Sequence, residues 1–138
     1  MVVFSCRICE LIAMPKSLYE ELGGEDKLRA IIDDFVDRVF EDTMIGFFFR
    51  SVSKKRVQTF EFQLAAEFLG APIQYGGRSL RDAHRKHKIM GGQFARRTQI
   101  LKETMAAHKV SPKIQKIWLD HTESLRGEIT GDRDHECR

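Results

Sequence analysis

The 138-residue sequence predicts an all-α fold. Three observations carry that prediction. Apolar residues recur at i, i+3, i+4 and i+7 through most of the chain. Serine stands ahead of several of these runs, and glycine or proline closes or opens them. Runs alternating at period two, the mark of half-buried strands, are nearly absent. At this length the chain fits one domain, and with 42% hydrophobic residues it can build a real core.

The elements follow in order. In "SLYEELGG", Ser17 and Glu20 have the spacing of a capping box, and Gly23 and Gly24 stop a short first helix. A second helix runs from about residue 25 to 42, with Leu28, Ile31, Ile32, Phe35, Val36, Val39 and Phe40 on its apolar face. "MIGFFF" is an aromatic corner holding Phe47, Phe48 and Phe49. A third helix covers about 53–69, and its buried face is expected to be Val57, Phe60 or Glu61, Leu64, Ala65 and Phe68. Phe60 and Phe62 flank Glu61, so both cannot point inward.

"GAPIQYGGR" is a loop rich in breakers. Ser79 can cap a short fourth helix carrying His84 and His87, and Gly91 and Gly92 break the chain again. A fifth helix spans about 93–108 with Phe94, Thr98, Leu101 and Met105 on one side. Ser111 and Pro112 supply the cap and first position of the last helix. Its apolar face is Ile114, Ile117, Trp118, His121 and Leu125. The expectation is six helices, two of them short, with "GDRDHECR" as a frayed polar tail at 131–138.

Composition narrows the function classes. The formal charge is +3, from 23 basic against 20 acidic residues, too weak to argue for nucleic acid. No base-stacking aromatics interleave with the basic residues around His84, which also argues against that partner. Three cysteines cannot make a disulfide framework. Cys6 and Cys9 form a C-x-x-C, but nothing completes a zinc ribbon, and Glu10 stands where c-type haem attachment needs histidine. These thiols, with Cys137, fit a reducing cytoplasm. Residues 1–14, "MVVFSCRICELIAM", are interrupted by Arg7 and Glu10 and read as an N-terminal extension rather than a signal peptide or membrane span, with Met14 as an alternative start.

Short helices, paired glycines and a phenylalanine corner suit helices wrapped around something flat and apolar better than a tidy bundle. Haem is one such group: it needs an apolar cage, aromatic faces and an axial ligand, most often histidine. On the short helix Leu80, His84 and His87 share a face, the two histidines roughly 60° apart around the axis. Arg81, Arg85, Lys86 and Lys88 occupy the rest, and such groups beside a ligand histidine can pair with haem propionates. Spacing alone favours a solvated basic helix over a ligand site.

The segments "SLYEELGG", "DDFVDRVFEDTMIGFFF", "FLGAPIQYGGR" and "LRDAHRKHKI", in this order, resemble the truncated (two-over-two) haemoglobins, bacterial-type globins, over about 17–126. The resemblance implies a truncated globin domain at 15–130, a two-over-two helical sandwich around haem b (iron protoporphyrin IX). It implies His84 as the iron ligand and Phe49, or less directly Phe48, against the haem face. Gly23, Gly24, Gly76 and Gly77 match the family's glycine motifs. His87 matches a variable position and is expected at the rim.

The distal side departs from the family pattern. Where the family commonly has a tyrosine after the phenylalanine matching Phe35, this sequence has Val36, which donates nothing. The remaining cofactor-facing positions match Phe35, Val57, Glu61, Leu64, Leu80, Phe94 and Arg97. Glu61 and Arg97 would pair across the pocket, or both face solvent if the register shifts by one. His121 reads as a hydrogen-bonded core or interhelix histidine, and His108 as a cation complementing a helix end.

The family's activities imply a diatomic gas ligand (O2, NO or CO), an electron-donating reductase as partner, and in some members nitric oxide dioxygenation. The competing reading is a globin-fold interaction, redox or gas-sensing module that carries no oxygen. No nucleic-acid or membrane partner is expected.

Overall fold

In a computed structural model the described residues are 16–130; Cys6, Cys9, Met14, His135 and Cys137, and the extension and tail that hold them, lie outside these. Seven α-helices and one 3-10 turn make up the described chain, with no strand among them. They are α1 Leu18–Leu22, α2 Gly24–Glu41, the 3-10 turn Gly46–Phe49, α3 Lys54–Phe68, α4 Leu80–His84, α5 Gly91–Ala107, α6 Pro112–Ser124 and α7 Arg126–Ile129. The expected six are all present. The turn at the phenylalanine corner and the terminal α7 are additions.

Local chemistry sets the starts. The hydroxyls of Ser17, Ser53, Ser79 and Ser111 each accept the backbone N–H three residues on, opening α1, α3, α4 and α6. Pro112 takes the first position of α6, where a missing N–H costs nothing. Between α1 and α2 the chain turns at Gly23 (φ 127°) and Gly24 (φ 80°), backbone conformations that favour glycine. Gly91 and Gly92 do not break the chain as expected. They form the first turn of α5, whose Gln93 side chain accepts the Met90 N–H at 2.9 Å.

The long helices α2, α3, α5 and α6 form a two-over-two sandwich. α2 lies between α3 and α5, α5 packs on α6, and short α4 rests against α7. The predicted face of α2 is buried except for Phe40, which is half-buried. On α3 the expectation needs correction. Its fully buried residues are Phe62, Ala65 and Ala66, whereas Val57, Phe60, Glu61, Leu64 and Phe68 are half-buried. The helix has two apolar faces: one packs on protein and the other lines a cavity. Phe60 and Phe62 do divide between them.

Thr98 on α5 is also only half-buried, its hydroxyl donating to the Phe94 carbonyl, while Ile100 and Thr104 join the core. No helix among the described residues is long and apolar enough to cross a membrane.

One long-range tie was not legible in the sequence. Asp42, just past α2, accepts from Arg96 on α5 at 2.8 and 3.0 Å through one carboxylate oxygen. Its other oxygen accepts the backbone N–H groups of Met44 and Ile45. A single buried carboxylate thus ends α2, shapes the phenylalanine corner and fastens both to α5. His108 is likewise tied across the fold, its Nε2 lying 2.9 Å from Asp34, rather than serving only its own helix end.

Candidate functional site

The half-buried face of α3 closes a cavity of about 650 Å³ with α2, the phenylalanine corner, α4, α5 and α6. That volume suits a cofactor or drug-sized ligand. Phe35, Phe48, Phe49, Val57, Glu61, Leu64, Leu80, His84, His87, Phe94 and Arg97 all line it. Val36 does not: it is 1% exposed and packed in the core, while Phe35 beside it reaches the wall. The sequence position of the missing tyrosine is therefore filled by a core residue. Tyr75, Trp118, His121 and Ile89 also line the cavity and were not expected there. Trp118 and His121 belong to the apolar face expected for the last helix and Tyr75 to the breaker-rich loop, but no local signal marks their meeting at one cavity.

α4 positions His84. The helix is one turn long, and its last residue brings Nδ1 within 2.7 Å of the Leu80 carbonyl oxygen. A carbonyl only accepts, so Nδ1 carries the proton and Nε2 keeps the lone pair of a ring that lines the cavity. Burial pushes the His84 imidazole below its ordinary value; the Leu80 bond and Glu61 oppose that, while Arg97 and His87 add to it. The ring is therefore neutral near pH 7, the form that binds a metal.

His87 is not on this helix. α4 ends at His84, and His87 sits in the following turn, exposed, its ring nearly perpendicular to that of Phe48 with the ring centres 6.1 Å apart. Arg81 and Arg85 would be like charges four apart on a longer helix, which opposes extension. The helical angle between the two histidines does not apply, yet both reach the cavity. Arg85 turns back to Asp82 at 2.8 Å. Arg78 lines both this cavity and a smaller cleft formed with Asp82, Arg85 and Lys86.

The phenylalanine corner supplies the flat walls. Phe49 stacks on Phe40 at 5.0 Å and Phe48 packs on Phe47 at 4.2 Å. Gly77 is needed because the Tyr75 ring folds over it, the Tyr75 hydroxyl donating to the Arg78 carbonyl at 2.7 Å. At the other end His121 stacks face to face on Phe68 at 3.8 Å. It is an interhelix residue, held by ring stacking, and burial lowers its pKa.

Glu61 and Arg97 meet. One guanidinium nitrogen of Arg97, Nη2, donates to both carboxylate oxygens of Glu61 at 3.0 and 3.1 Å. The Arg97 guanidinium lies 4.9 Å from the centre of the Phe35 ring, a cation–π contact. The third-helix register is therefore the one in which both side chains line the cavity, not the one in which both face solvent.

These residues fit a haem. The walls are apolar and aromatic, one neutral imidazole is anchored through its outer nitrogen, and Arg78 stands where an anionic edge could be met.

Comparison with known proteins points the same way. A family model described as bacterial-like globin matches residues 17–131. The group 1 truncated haemoglobin GlbN of Nostoc is 24% identical over 113 residues, covering 82% of this chain and 96% of that protein. The fold is similar to the crystal structure of truncated haemoglobin from Tetrahymena pyriformis in its Fe(III) form. The TM-score is 0.79 at 22% identity, over 84% of this chain and 99% of that one. The group II truncated haemoglobin from Bacillus anthracis gives a TM-score of 0.78 at 18% identity, over 86% of this chain and 94% of that one.

Proposed function

The chain belongs to the bacterial-like globin family, and on that premise we propose that it is a haem b protein that reversibly binds a diatomic gas, with His84 as the iron ligand. Family membership carries haem-based gas binding in general. The single observation that carries the finer reading is the His84–Leu80 hydrogen bond inside the cavity. It fixes the ring and the tautomer, the usual arrangement for a histidine bound to metal.

When bound, the haem supplies a ferrous iron able to take O2, NO or CO. The protein's part is to hold, orient and exclude. His84 contributes its Nε2 lone pair while Leu80 keeps the other nitrogen occupied. Phe48, Phe49, Leu64 and Phe94 exclude water from the cavity. Arg78 and Lys86 are the cations offered to propionates. Residues 15–130 form the globin domain, and cytoplasmic residence with a reductase as electron donor suits this chemistry. With no hydroxyl at Val36, Arg97 is the donor at hand for a bound ligand, and Glu61 holds it in place.

The visible spectrum of the expressed protein tests this. A strong Soret band that shifts with carbon monoxide, and is lost in His84→Ala, is expected. A colourless folded protein that takes up no added haem would overturn the reading.

A further inference from the structure

We propose that the surface around the cavity mouth docks a small acidic protein that carries one electron. Met44, Phe47 and Met90 form the apolar centre of this surface, and Arg50, Lys55 and Lys88 are among the basic groups that steer the partner onto it. This rests on the reading of the cavity as a haem site and names the kind of partner that would serve it and where that partner would sit.

The exposed apolar side chains are gathered in one place. Among the described residues the large ones are Met44, Phe47, Val52 and Met90, each between 37% and 47% exposed. They come from two segments, the phenylalanine corner with its flanks at 44–52 and the turn between α4 and α5. These segments meet. Phe47 packs on Phe48 at 4.2 Å, and Phe48 meets the His87 ring at 6.1 Å between centres. The Met44 methyl lies against Gly92, 3.9 Å from the point a Cβ there would occupy. Apolar groups gathered on a surface mark a place that meets another molecule.

Positive charge is gathered there too. The formal charge of +3 is unevenly spread: residues 43–60 and 76–92 hold nine lysines and arginines against one acid, Asp82, so the rest of the chain is net acidic. Arg85 answers Asp82 at 2.8 Å, and Lys54 reaches Asp37 on α2. Arg50, Lys55, Arg81, Lys86 and Lys88 are exposed and have no ion-pair partner among the described residues. An apolar centre inside a charged rim is the anatomy of a protein interface, and methionine is enriched in such centres. The sign of the rim selects an acidic partner.

The cavity opens in the same place. Val52 and His87 line it and are also exposed. Phe48, against which Phe47 packs, is part of its wall. A protein seated on Phe47 is therefore one side chain away from the cavity. One electron passes from it to the ferric group there, oxidising the partner by one electron and leaving the group ferrous, with no atom transferred. Electron carriers use small contacts of this kind, steered by charge and quickly released. A lipid surface suits the patch less well. Membranes are gripped by amphipathic helices with a broad apolar face, and these side chains come from turns.

The test uses the ferric, haem-loaded protein and a reduced plant-type two-iron ferredoxin, a small acidic one-electron carrier. Haem reduction is followed at the Soret band under carbon monoxide. The rate should fall roughly tenfold or more between about 20 mM and about 500 mM salt. The triple variant Arg50→Glu, Lys55→Glu, Lys88→Glu should be roughly 10- to 100-fold slower than wild type at low salt and should converge with it at high salt. Met44→Ser with Met90→Ser should be slower by roughly 3- to 10-fold with the salt dependence kept. Both variants should match wild type when the reductant is the neutral semiquinone of lumiflavin, because a small uncharged donor needs no docking surface.

Equal ferredoxin rates for wild type and the triple variant at low salt would overturn the proposal. Binding to phosphatidylserine vesicles that the triple variant loses, with ferredoxin rates unchanged, would give the surface to a membrane and overturn it as well. If a variant does not take up haem, the wild type decides. Carbodiimide coupling to ferredoxin carboxylates at Lys55, Lys86 or Lys88 supports the proposal, and coupling chiefly at Lys113 or Lys116 overturns it. Failure of the haem reading looks different, because then no carbon monoxide shift is seen with any reductant.

Discussion

The Nδ1 atom of His84 lies 2.7 Å from the carbonyl oxygen of Leu80, one turn back on the same short helix. Because that carbonyl belongs to the backbone, the anchor does not depend on any other side chain. It depends on the helix itself, which Ser79 opens by accepting the Asp82 N–H. His84→Gly should lose the wild-type Soret band and its carbon monoxide shift. Free imidazole diffusing into the vacated space should restore both, and it should not restore His84→Phe. A wild-type spectrum in His84→Gly without imidazole would show that another residue holds the iron.

Glu61 and Arg97 face one another from α3 and α5, neither fully exposed nor fully buried. An ion pair in that setting is worth about 1 kcal/mol net, less than a buried pair's Coulomb energy and more than a surface pair's. A double-mutant cycle with Glu61→Gln and Arg97→Met, read by urea unfolding of the carbon monoxide form, should return about that coupling. A coupling below about 0.3 kcal/mol would show that the contact is not maintained in solution.

The long helices were legible because a one-sided helix writes its buried face as a 3.6-residue period, and α2 does so from Leu28 to Val39. α3 was harder. Its period marks two faces, and a face packed on protein writes the same pattern as one lining a cavity. His84 and the phenylalanine corner emerged from the family resemblance more than from spacing. The same resemblance assigned both Phe35 and Val36 to the cavity, and only Phe35 lines its wall. The Asp42–Arg96 tie spans 54 residues and leaves no local trace, since any of the surface arginines would read alike.

That tie can be measured. Asp42 is nearly buried and its Oδ2 accepts the N–H groups of Met44 and Ile45 at 3.0 and 3.1 Å. Asp42→Ala leaves both donors without that partner and should destabilise the protein by about 2 kcal/mol. Asp42→Asn keeps an acceptor and should cost less.

The acid limb of stability carries the same signature. Arg96 beside Asp42, aided by the Ile45 and Met44 N–H groups, holds its carboxyl below the ordinary carboxylate value, and Arg38 with His108 does so for Asp34. A carboxyl lowered in the folded state stabilises it above the unfolded value near 3.8, and this is lost as pH falls through the lowered folded value. The half-buried His121 imidazole, lowered from 6.5 by partial desolvation, acts in the same direction at higher pH, because the unfolded chain takes up its proton first. Stability should therefore fall in two stages on acidification, and Asp42→Asn should flatten only the lower one. An unchanged acid unfolding curve in Asp42→Asn would refute the assignment.

Gly46 controls the seat of the phenylalanine corner. It opens the 3-10 turn carrying Phe48 and Phe49, and its N–H donates to the Asp42 carbonyl at 2.9 Å. A Cβ here would lie 2.6 Å from the backbone oxygen of Phe40 and 3.3 Å from its carbonyl carbon. The obstacle is the end of α2 itself, which cannot swing aside as a side chain can. Gly46→Ala should therefore cost about 1–3 kcal/mol, the range of overpacking. It should also push Phe48 and Phe49 off the cavity wall, so haem should pass faster to a competing apoglobin. Gly76→Ala is the control, because the nearest atom is Gln63 Oε1 at 3.6 Å and the backbone N–H that bonds it is kept. Its change should stay within about 0.5 kcal/mol. Equal stability and equal haem loss in the two variants would mean that the corner is not fixed by the close approach of Gly46 to Phe40.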